Sequence, residues 1–331
     1  MQLIQRPIQI ALLLLLAGPI CADDVAHDFG HSLLADLTES GDDNGTPIKT
    51  ISFGADSDVK AATTEEIPLT KYKQGAIQKA TVTGGWLSSL KSNSLSTTYI
   101  EVSLTSGIPL GSFDNILGIT PFFRTDFLNA PPNIDVPSEL FETGVSFFLT
   151  RKMSDRWSAM AIFAPTIRSD FTTSEQALRF FGLGLLTWQA VPDRVGLSFG
   201  ALFLGRADLP VLPAVGLKYT PTPCTTYDLR FPESRISWRL AKDGGKSESW
   251  LYVSGGFGGN TWAITRNDRS SDLMTLSYLR LLFGAEHLLD GGGRMFIESG
   301  WAFNRKLKYD SDQSAERSFA NAVIFQGGLS Y

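Results

Sequence analysis

The chain ends in FANAVIFQGGLSY, residues 319–331, and this segment decides the predicted fold. Val323, Phe325, Leu329 and Tyr331 all occupy odd-numbered positions, so they share one side of an extended chain. Successive side chains of a β-strand point to opposite faces, and the pattern therefore predicts a strand with one apolar face. An aromatic residue occupies its last position.

The same alternation returns along most of the chain. In residues 275–286, Leu281 and Phe283 share one face, while Arg280 and Glu286 share the other. Each such segment has an apolar face and a face that tolerates charge. A water-soluble β-sandwich alternates in the same way, with its apolar face inward. Periodicity alone therefore does not say which face meets water.

Fourteen strands are predicted, with twelve as the second choice because prolines interrupt residues 211–241. Many are ten residues or longer, close to the roughly 9–11 that a tilted membrane strand needs and longer than the about 5–6 usual in soluble proteins. Tight turns alternate with longer loops, as in bacterial barrels that keep their short turns in the periplasm. The predicted strands cover residues 79–92, 95–110, 116–128, 139–152, 156–170, 177–189, 194–205, 211–220, 225–231, 235–241, 248–266, 273–288, 294–308 and 319–331.

Composition favours a membrane barrel. Charged residues make up 19% of the chain, with a mean hydropathy of +0.00, against roughly 25% charged residues in soluble domains. After the N-terminal leader, no apolar run has the length that a transmembrane helix requires. A chain without such a run can still cross a bilayer if its strands close into a barrel. We therefore predict an all-β, closed antiparallel transmembrane barrel.

The first 22 residues are predicted to be a secretory signal peptide. Arg6 precedes a short apolar run that is followed by Gly18, Pro19 and the small residue Ala22, after which we expect cleavage. Lipid attachment at Cys21 is the alternative. In either case Cys224 is the one cysteine left in the barrel sequence, so no intramolecular disulfide is expected.

Residues 23–75 are predicted to be an acidic, flexible periplasmic segment, acting as a tether or a partial plug. From residue 23 to residue 73 the chain has eleven Asp and Glu against four Lys, whereas the later part is nearly balanced. His27 and His31 lie four residues apart, a spacing that metal ligands sometimes use. Because the surrounding segment is acidic and flexible, we expect these histidines to be exposed to solvent and to bind no metal. The barrel is predicted over residues 76–331.

The C-terminal pattern resembles the closing-strand signal of bacterial outer-membrane proteins. That signal consists of alternating apolar residues and a terminal aromatic, here Phe325, Leu329 and Tyr331, with Tyr in the place of the usual Phe. The resemblance implies the barrel assembly machinery and outer-membrane lipid as partners, and the outer membrane as location. Over residues 76–331 the chain looks like an uncharacterised outer-membrane barrel family of porin-like or channel-like architecture. Its strand number is similar to that of barrels that carry hydrophobic compounds.

Charged residues on the polar faces are the candidates for lining the lumen. Three of them, Arg230, Arg235 and Arg239, lie on neighbouring strands and could form a basic ladder for anionic solutes. The alternative is a set of salt bridges that fills and stiffens the interior. The predicted lumen-lining residues are Glu101, Arg124, Asp126, Glu142, Asp228, Arg230, Arg235, Arg239, Arg280, Glu286, Glu298 and Lys306.

A passive pore or transporter for small solutes is the predicted function. The alternatives are a structural or interaction barrel with a filled lumen, and a secreted soluble β-protein. We expect no enzyme activity, because His287 is the one barrel histidine, its strand parity places it at the periplasmic end, and no nucleophile-elbow motif is present. No cofactor and no nucleic-acid partner are expected.

Overall fold

The structure, a computed structural model, describes residues 66–70, 73, 75–91, 94–205, 211–312 and 316–331. The predicted signal peptide and most of the predicted acidic segment lie outside these residues and stay predictions. Within the described part of the chain, no helix is long and apolar enough to cross a membrane.

The regular structure of the described residues consists of β-strands, which confirms the predicted all-β fold. Their bounds lie within a few residues of most predicted strands. The sixteen strands are β1 (Ile77–Ser89), β2 (Ser96–Pro109), β3 (Asn115–Asn129), β4 (Glu139–Lys152), β5 (Trp157–Ser169), β6 (Leu178–Val191), β7 (Val195–Phe203), β8 (Val211–Thr222), β9 (Thr225–Arg230), β10 (Ser234–Asp243), β11 (Ser247–Gly258), β12 (Thr261–Thr265), β13 (Ser271–Leu289), β14 (Gly293–Tyr309), β15 (Arg317–Phe319) and β16 (Ala322–Ser330).

Fourteen of these strands form one closed antiparallel ring. Sequence neighbours pair from β1 to β11, and the ring continues through β13, β14 and β16. Strand β16 then pairs with β1 along nine residues, from Ala322 opposite Ser89 to Ser330 opposite Thr81. The short strands β12 and β15 are not members of the ring. The predicted closed barrel of fourteen strands is confirmed, and the second choice of twelve is wrong.

The two faces of the ring differ in chemistry. Large apolar side chains on the outer face are exposed, for example Ile100 on β2 at 50%. Many charged and polar side chains are buried on the inner face, and Glu286 on β13 is 0% exposed. This distribution is the reverse of a soluble sandwich, in which apolar side chains fill the core.

The two ends of the barrel have different connections. At one end the turns are tight: the four residues 153–156 join β4 to β5, and the three residues 192–194 join β6 to β7. We call this the short-turn end. The opposite end, which we call the mouth, carries longer connections such as residues 130–138 and 259–270. Both residue 76 and Tyr331 lie at the short-turn end, as the sequence predicts.

The connection between β11 and β13 folds into the mouth. The sequence predicts one strand over residues 248–266, but the chain breaks after Gly258. Gly259 has φ of 92°, a conformation that favours glycine, and β12 follows the break. At Ala263, β12 meets Ser169 of β5. Since β5 and β13 are seven strands apart in either direction around the ring, β12 crosses its diameter. We call β12 the strap.

A hydrophobic core surrounds the strap and closes the mouth. Ile264 of the strap has no exposed surface, and Met274 of β13 and Leu307 of β14 are equally buried. Burying each such side chain contributes about 1.5–3 kcal/mol. The buried cluster contains Leu95, Leu128, Leu140, Trp262, Ile264, Met274, Leu307 and Tyr309.

Candidate functional site

The barrel interior below the strap holds most of the predicted lumen-lining residues, and they form ion pairs. On β3, Arg124 donates through Nε and Nη2 to both carboxylate oxygens of Asp126, each at 2.7 Å. Glu101 of β2 lies 3.6 Å from the same guanidinium. The ring of Tyr99 lies 3.9 Å from the Arg124 guanidinium carbon. Arg124 and Asp126 share one face of β3, and Glu101 lies directly opposite Arg124 on β2.

The predicted basic ladder is neutralised by acidic partners. Arg230 binds Asp228, Arg235 binds Glu286, and Arg239 binds Glu66. Glu286 also accepts a hydrogen bond from Nε of Arg294 at 2.8 Å, so one buried carboxylate holds two guanidinium groups. In the part of the chain that the structure describes, these three arginines therefore do not form the stripe of unpaired positive charge that an anion pathway requires.

Glu298 and Arg280 belong to mixed polar contacts. The hydroxyl of Tyr252 donates to Glu298 at 2.6 Å, and the Gln326 amide donates to the same carboxylate. Arg280 donates to Glu233 at 3.1 Å. Bonds of this kind satisfy buried polar groups, which would otherwise destabilise the barrel.

Glu142 joins the wall to the base of the strap. Arg168 of β5 lies 2.8 Å from its Oε1. The amide of Asn260, one residue before the strap, donates to its Oε2 at 3.0 Å. Arg168, Arg294 and Glu248 are interior charges that the sequence analysis missed, although the strand alternation gives their faces.

Lys306 has a different position from the predicted one. Asn304 has φ of 52°, and the pairing of β14 with β13 shifts in register at this point. An inserted residue reverses the side-chain alternation beyond it. Arg305 is consequently buried, with guanidinium bonds to the carbonyls of Leu95 and Ala320. Lys306 instead pairs with Glu316 of the loop before β15.

The inner wall over four of the fourteen ring strands is apolar, which the sequence analysis did not predict. Strands β5 to β8 turn aliphatic side chains inward, and the outward side of β6 carries glycines among its apolar residues. The sequence of residues 181–186, FGLGLL, could have predicted this apolar wall. A strand that is apolar on both faces places apolar side chains on the inner face as well as on the outer face. The buried members are Met160, Leu183, Leu185, Leu202 and Ala214, with Ile162, Phe181, Leu204 and Leu212 beside them.

A cavity of about 340 Å³ lies between this apolar wall and the ion pairs. Leu183, Leu202 and Ala214 form one side of it, and Arg230 and Arg235 contribute to the other. Its volume falls at the lower end of ligand pockets, which measure about 300–1,000 Å³. The arrangement can hold a small molecule against an apolar surface.

The mouth is fastened by ionic contacts around the strap. The carboxylate of Asp170, which follows β5, accepts the Thr265 backbone N–H at 2.7 Å. Arg266 donates to Asp135 at 2.6 Å and to Asp272 at 2.8 Å. Strap and loops are thus joined across the lumen from opposite walls.

Residues 66–70 and residue 73 lie at the short-turn end. Glu66 binds Arg239, and this hydrogen bond lowers the pKa of the Glu66 carboxyl from its ordinary value. Further along, the Thr70 N–H donates to Asp290 at 2.8 Å. The ammonium of Lys73 lies 3.3 Å from the centre of the Tyr331 ring. This stretch therefore ties three separate parts of the rim together.

Two of the predicted assembly residues lie on the outer face of β16, and Tyr331 follows its last residue. Phe325, Leu329 and Tyr331 are all exposed. Tyr331 and Ala80 exchange two backbone hydrogen bonds, at 2.8 and 2.9 Å, which extend the β1–β16 pairing by one step. Recognition by assembly machinery stays a prediction.

Among the described residues, no group of three or more His, Cys, Asp and Glu side chains could hold a metal ion. His27 and His31 lie outside the described residues.

The family model described as "Domain of unknown function (DUF6268)" matches residues 129–331. The chain belongs to this family. The matched residues run from the end of β3 through the strap to β16, so they include the cavity wall of β5 to β8. No curated protein matches the chain in sequence.

Solved structures of membrane barrels and related channels are similar to the chain in part. The "TodX monoaromatic hydrocarbon channel deltaS2 mutant" is 10% identical with a TM-score of 0.41, over 76% of this chain and 88% of that chain. The β domain of the Bordetella autotransporter BrkA is 12% identical with a TM-score of 0.39, over 78% and 99%. Pseudomonas aeruginosa OccK5 (OpdH) is 11% identical with a TM-score of 0.30, over 79% and 100%.

Proposed function

We propose that this protein spans the bacterial outer membrane as a selective channel for small solutes. The observation that carries the proposal is a closed barrel with an apolar exterior, a mouth shut by the strap and a cavity beneath it. No enzymatic step is part of the proposal.

The exterior supports the membrane location. Exposed apolar patches on soluble monomers rarely exceed a few hundred Å², whereas here large apolar side chains are exposed on most strands of the ring. A hydrocarbon layer accepts this surface and rejects charge, at about 2–4 kcal/mol for Arg or Lys near its centre. Examples from around the ring are Val82, Ile100, Phe123, Phe147, Phe163, Phe199, Val215, Leu251, Phe283, Trp301 and Phe325.

The interior supports selectivity. An open porin leaves a continuous water-filled path, but the strap and its hydrophobic core cross the mouth here. The cavity below offers an apolar wall to a solute small enough to enter. Transport through such a barrel requires the strap to move or the solute to use another path.

Heat-modifiable migration tests the membrane barrel. The full-length protein, expressed in a Gram-negative host, is expected to extract with detergent from the outer-membrane fraction. Unheated samples should migrate as a compact band that shifts on boiling. Recovery of the mature protein as a monodisperse species in buffer without detergent would overturn the proposal.

Conductance in planar bilayers tests the channel. The wild type is expected to show rare, small openings, and a variant in which glycines replace residues 260–266 should conduct continuously.

A second candidate function, a structural barrel with a filled interior, is favoured by the ion pairs of Arg124, Arg235 and Glu286. Absence of current in the strap variant at any voltage would decide for this second function.

A further inference from the structure

The β9–β10 hairpin ends before the strands on either side of it, although β10 itself has ten residues. Strand β9 has six residues, whereas β8 has twelve and β11 has twelve. The hairpin tip, Phe231 to Glu233, reaches only to Val215 of β8 and Gly255 of β11. Beyond it, within the described residues, 211–214 of β8 and 256–258 of β11 have no paired strand on the side that faces the tip.

These unpaired stretches bound an opening in the wall. Neighbouring strands are about 4.8 Å apart, so the three spacings between β8 and β11 amount to roughly 14 Å. Above the tip, the outer face of the neighbouring strands is still apolar: Val211 of β8, which pairs with Phe203 of β7, is 60% exposed, as expected of a surface that faces lipid. The tip therefore ends at membrane depth, and we call the gap above it the wall opening.

The cavity continues through the wall opening. Side chains of Leu202 and Ala214 point into the barrel and are nearly fully buried. The same cavity is also lined by Val215, Phe231 and Phe257, which are 54%, 39% and 43% exposed. An intact sheet separates its two faces, so one cavity touches both only where the sheet is interrupted. Irregular backbone is tolerated at membrane depth where it lines a cavity.

Aromatic side chains form the lower edge of the wall opening. The rings of Phe231 and Phe257 meet edge to face, with centroids 5.8 Å apart. The neighbouring Glu233 pairs with Arg280 of β13. The edge that meets the membrane is therefore apolar, and the tip's charge is neutralised.

The cavity favours an uncharged ligand. Its charged lining residues have partners of opposite sign: Arg168 with Glu142, Arg230 with Asp228, and Arg235 with Glu286. A charged ligand would compete with these pairs and would also face the aliphatic wall of β6 to β8. An uncharged apolar molecule does not compete with the ion pairs, and its contact with the aliphatic wall is favourable because it buries apolar surface.

We propose that small, uncharged apolar molecules pass sideways between the cavity and the apolar layer of the membrane through the wall opening. This inference rests on the proposed channel function and names its solute class. The path bypasses the closed mouth, so it does not require the strap to move.

Uptake of N-phenyl-1-naphthylamine, an apolar probe that fluoresces in lipid, tests the inference in cells that express the full chain. The wild type is expected to speed uptake over cells without the protein. Val215→Arg places a charge at the wall opening, and Ala214→Trp fills the cavity. Each should slow uptake by roughly tenfold, the scale on which apolar pockets discriminate.

Matched variants control for the two substitutions. Val102→Arg makes the same change on the outer face of β2, six strands away, and Ala201→Trp adds the same ring to the outer face of β7. Both should keep wild-type uptake, and all four should show heat-modifiable migration. If Ala214→Trp slows uptake but Val215→Arg does not, the cavity carries solute and the sideways path is overturned.

Two further outcomes separate this inference from the proposed function. Wild-type cells that take up the probe no faster than cells without the protein would overturn the apolar solute class. The strap-variant conductance would in that case still measure whether the barrel is a channel. Loss of that conductance overturns the channel itself.

Discussion

Replacing Asp170 with alanine is expected to loosen the strap without opening the barrel ring. The Asp170 carboxylate accepts the backbone N–H of Thr265 at 2.7 Å. Its own backbone N–H donates to the Ala263 carbonyl at 3.2 Å, a bond that alanine retains. Between the strap and the opposite wall, the substitution therefore removes one charge-assisted hydrogen bond. Within the loop that follows β5, it also removes the bonds that Asp170 accepts from the N–H groups of Thr172 and Thr173, at 2.9 and 3.3 Å.

The magnitude follows from that single bond. A hydrogen bond to a charged group contributes about 1.5–3 kcal/mol, and about 1.36 kcal/mol corresponds to a factor of ten in population. The undocked strap should become roughly 10- to 150-fold more populated. The hydrophobic contacts of Trp262 and Ile264 remain, so the docked strap still dominates.

Hydrogen exchange read by mass spectrometry measures this population, because amides exchange through local opening. Exchange in residues 261–265 is expected to accelerate by the factor given above, while β3 keeps its wild-type protection. Asp268→Ala is the matched control, since Asp268 bonds locally to Ser270 in the same loop. Equal exchange of the strap in both variants would refute the assigned role of Asp170.

Three further predictions concern the interior, the rim and the seam. Glu286→Ala leaves two buried guanidinium groups without their carboxylate, which should lower the free energy of unfolding by about 3–5 kcal/mol. The compact gel band should therefore disappear at a lower temperature, whereas Glu139→Ala, at an exposed position, should leave that temperature unchanged. The pKa of Glu66 is lowered from 4.5 by Arg239, so their contact contributes fully above pH 4.5 and is lost as pH falls through the lowered pKa. Exchange of residues 66–70 should accelerate over that range, and Arg239→Gln should abolish the pH dependence. Deletion of Tyr331 should slow appearance of the heat-modifiable form in cells; unchanged kinetics would contradict its predicted part in assembly.

The alternation of side chains predicted the ring well. In a strand, every second residue points to the same face, and in a barrel the same two-residue repeat decides whether a side chain meets lipid or the interior. Predicted strand 139–152 coincides with β4, and 273–288 lies within β13. The pattern fails where one residue departs from it. Gly259 ends β11 and sends the strap inward, and Asn304 reverses the faces of Arg305 and Lys306. A positive φ at a single position does not alter the pattern of apolar and polar residues, so the sequence pattern does not reveal it.

The candidate site was harder to predict than the ring. Arg124 and Glu142, which the sequence places on polar strand faces, lie on the inner face of the ring, and their pairing depends on strand register. The cavity arises from apolar residues on both faces of β6, and the sequence analysis assumed that the inner face is polar. The wall opening follows from the length of β9 relative to β8, which becomes visible only when their partners are known.

The β1–β16 pairing has a consequence for biosynthesis. The strand that joins β1 is the last of the ring to leave the ribosome, so no cylinder exists until the chain has been made through Ser330. A product that stops short keeps bare edges on β1 and β14, and bare edges invite aggregation. Closure of the ring thus requires a chain that includes β16, and a product truncated before β16 is expected to aggregate rather than form the barrel.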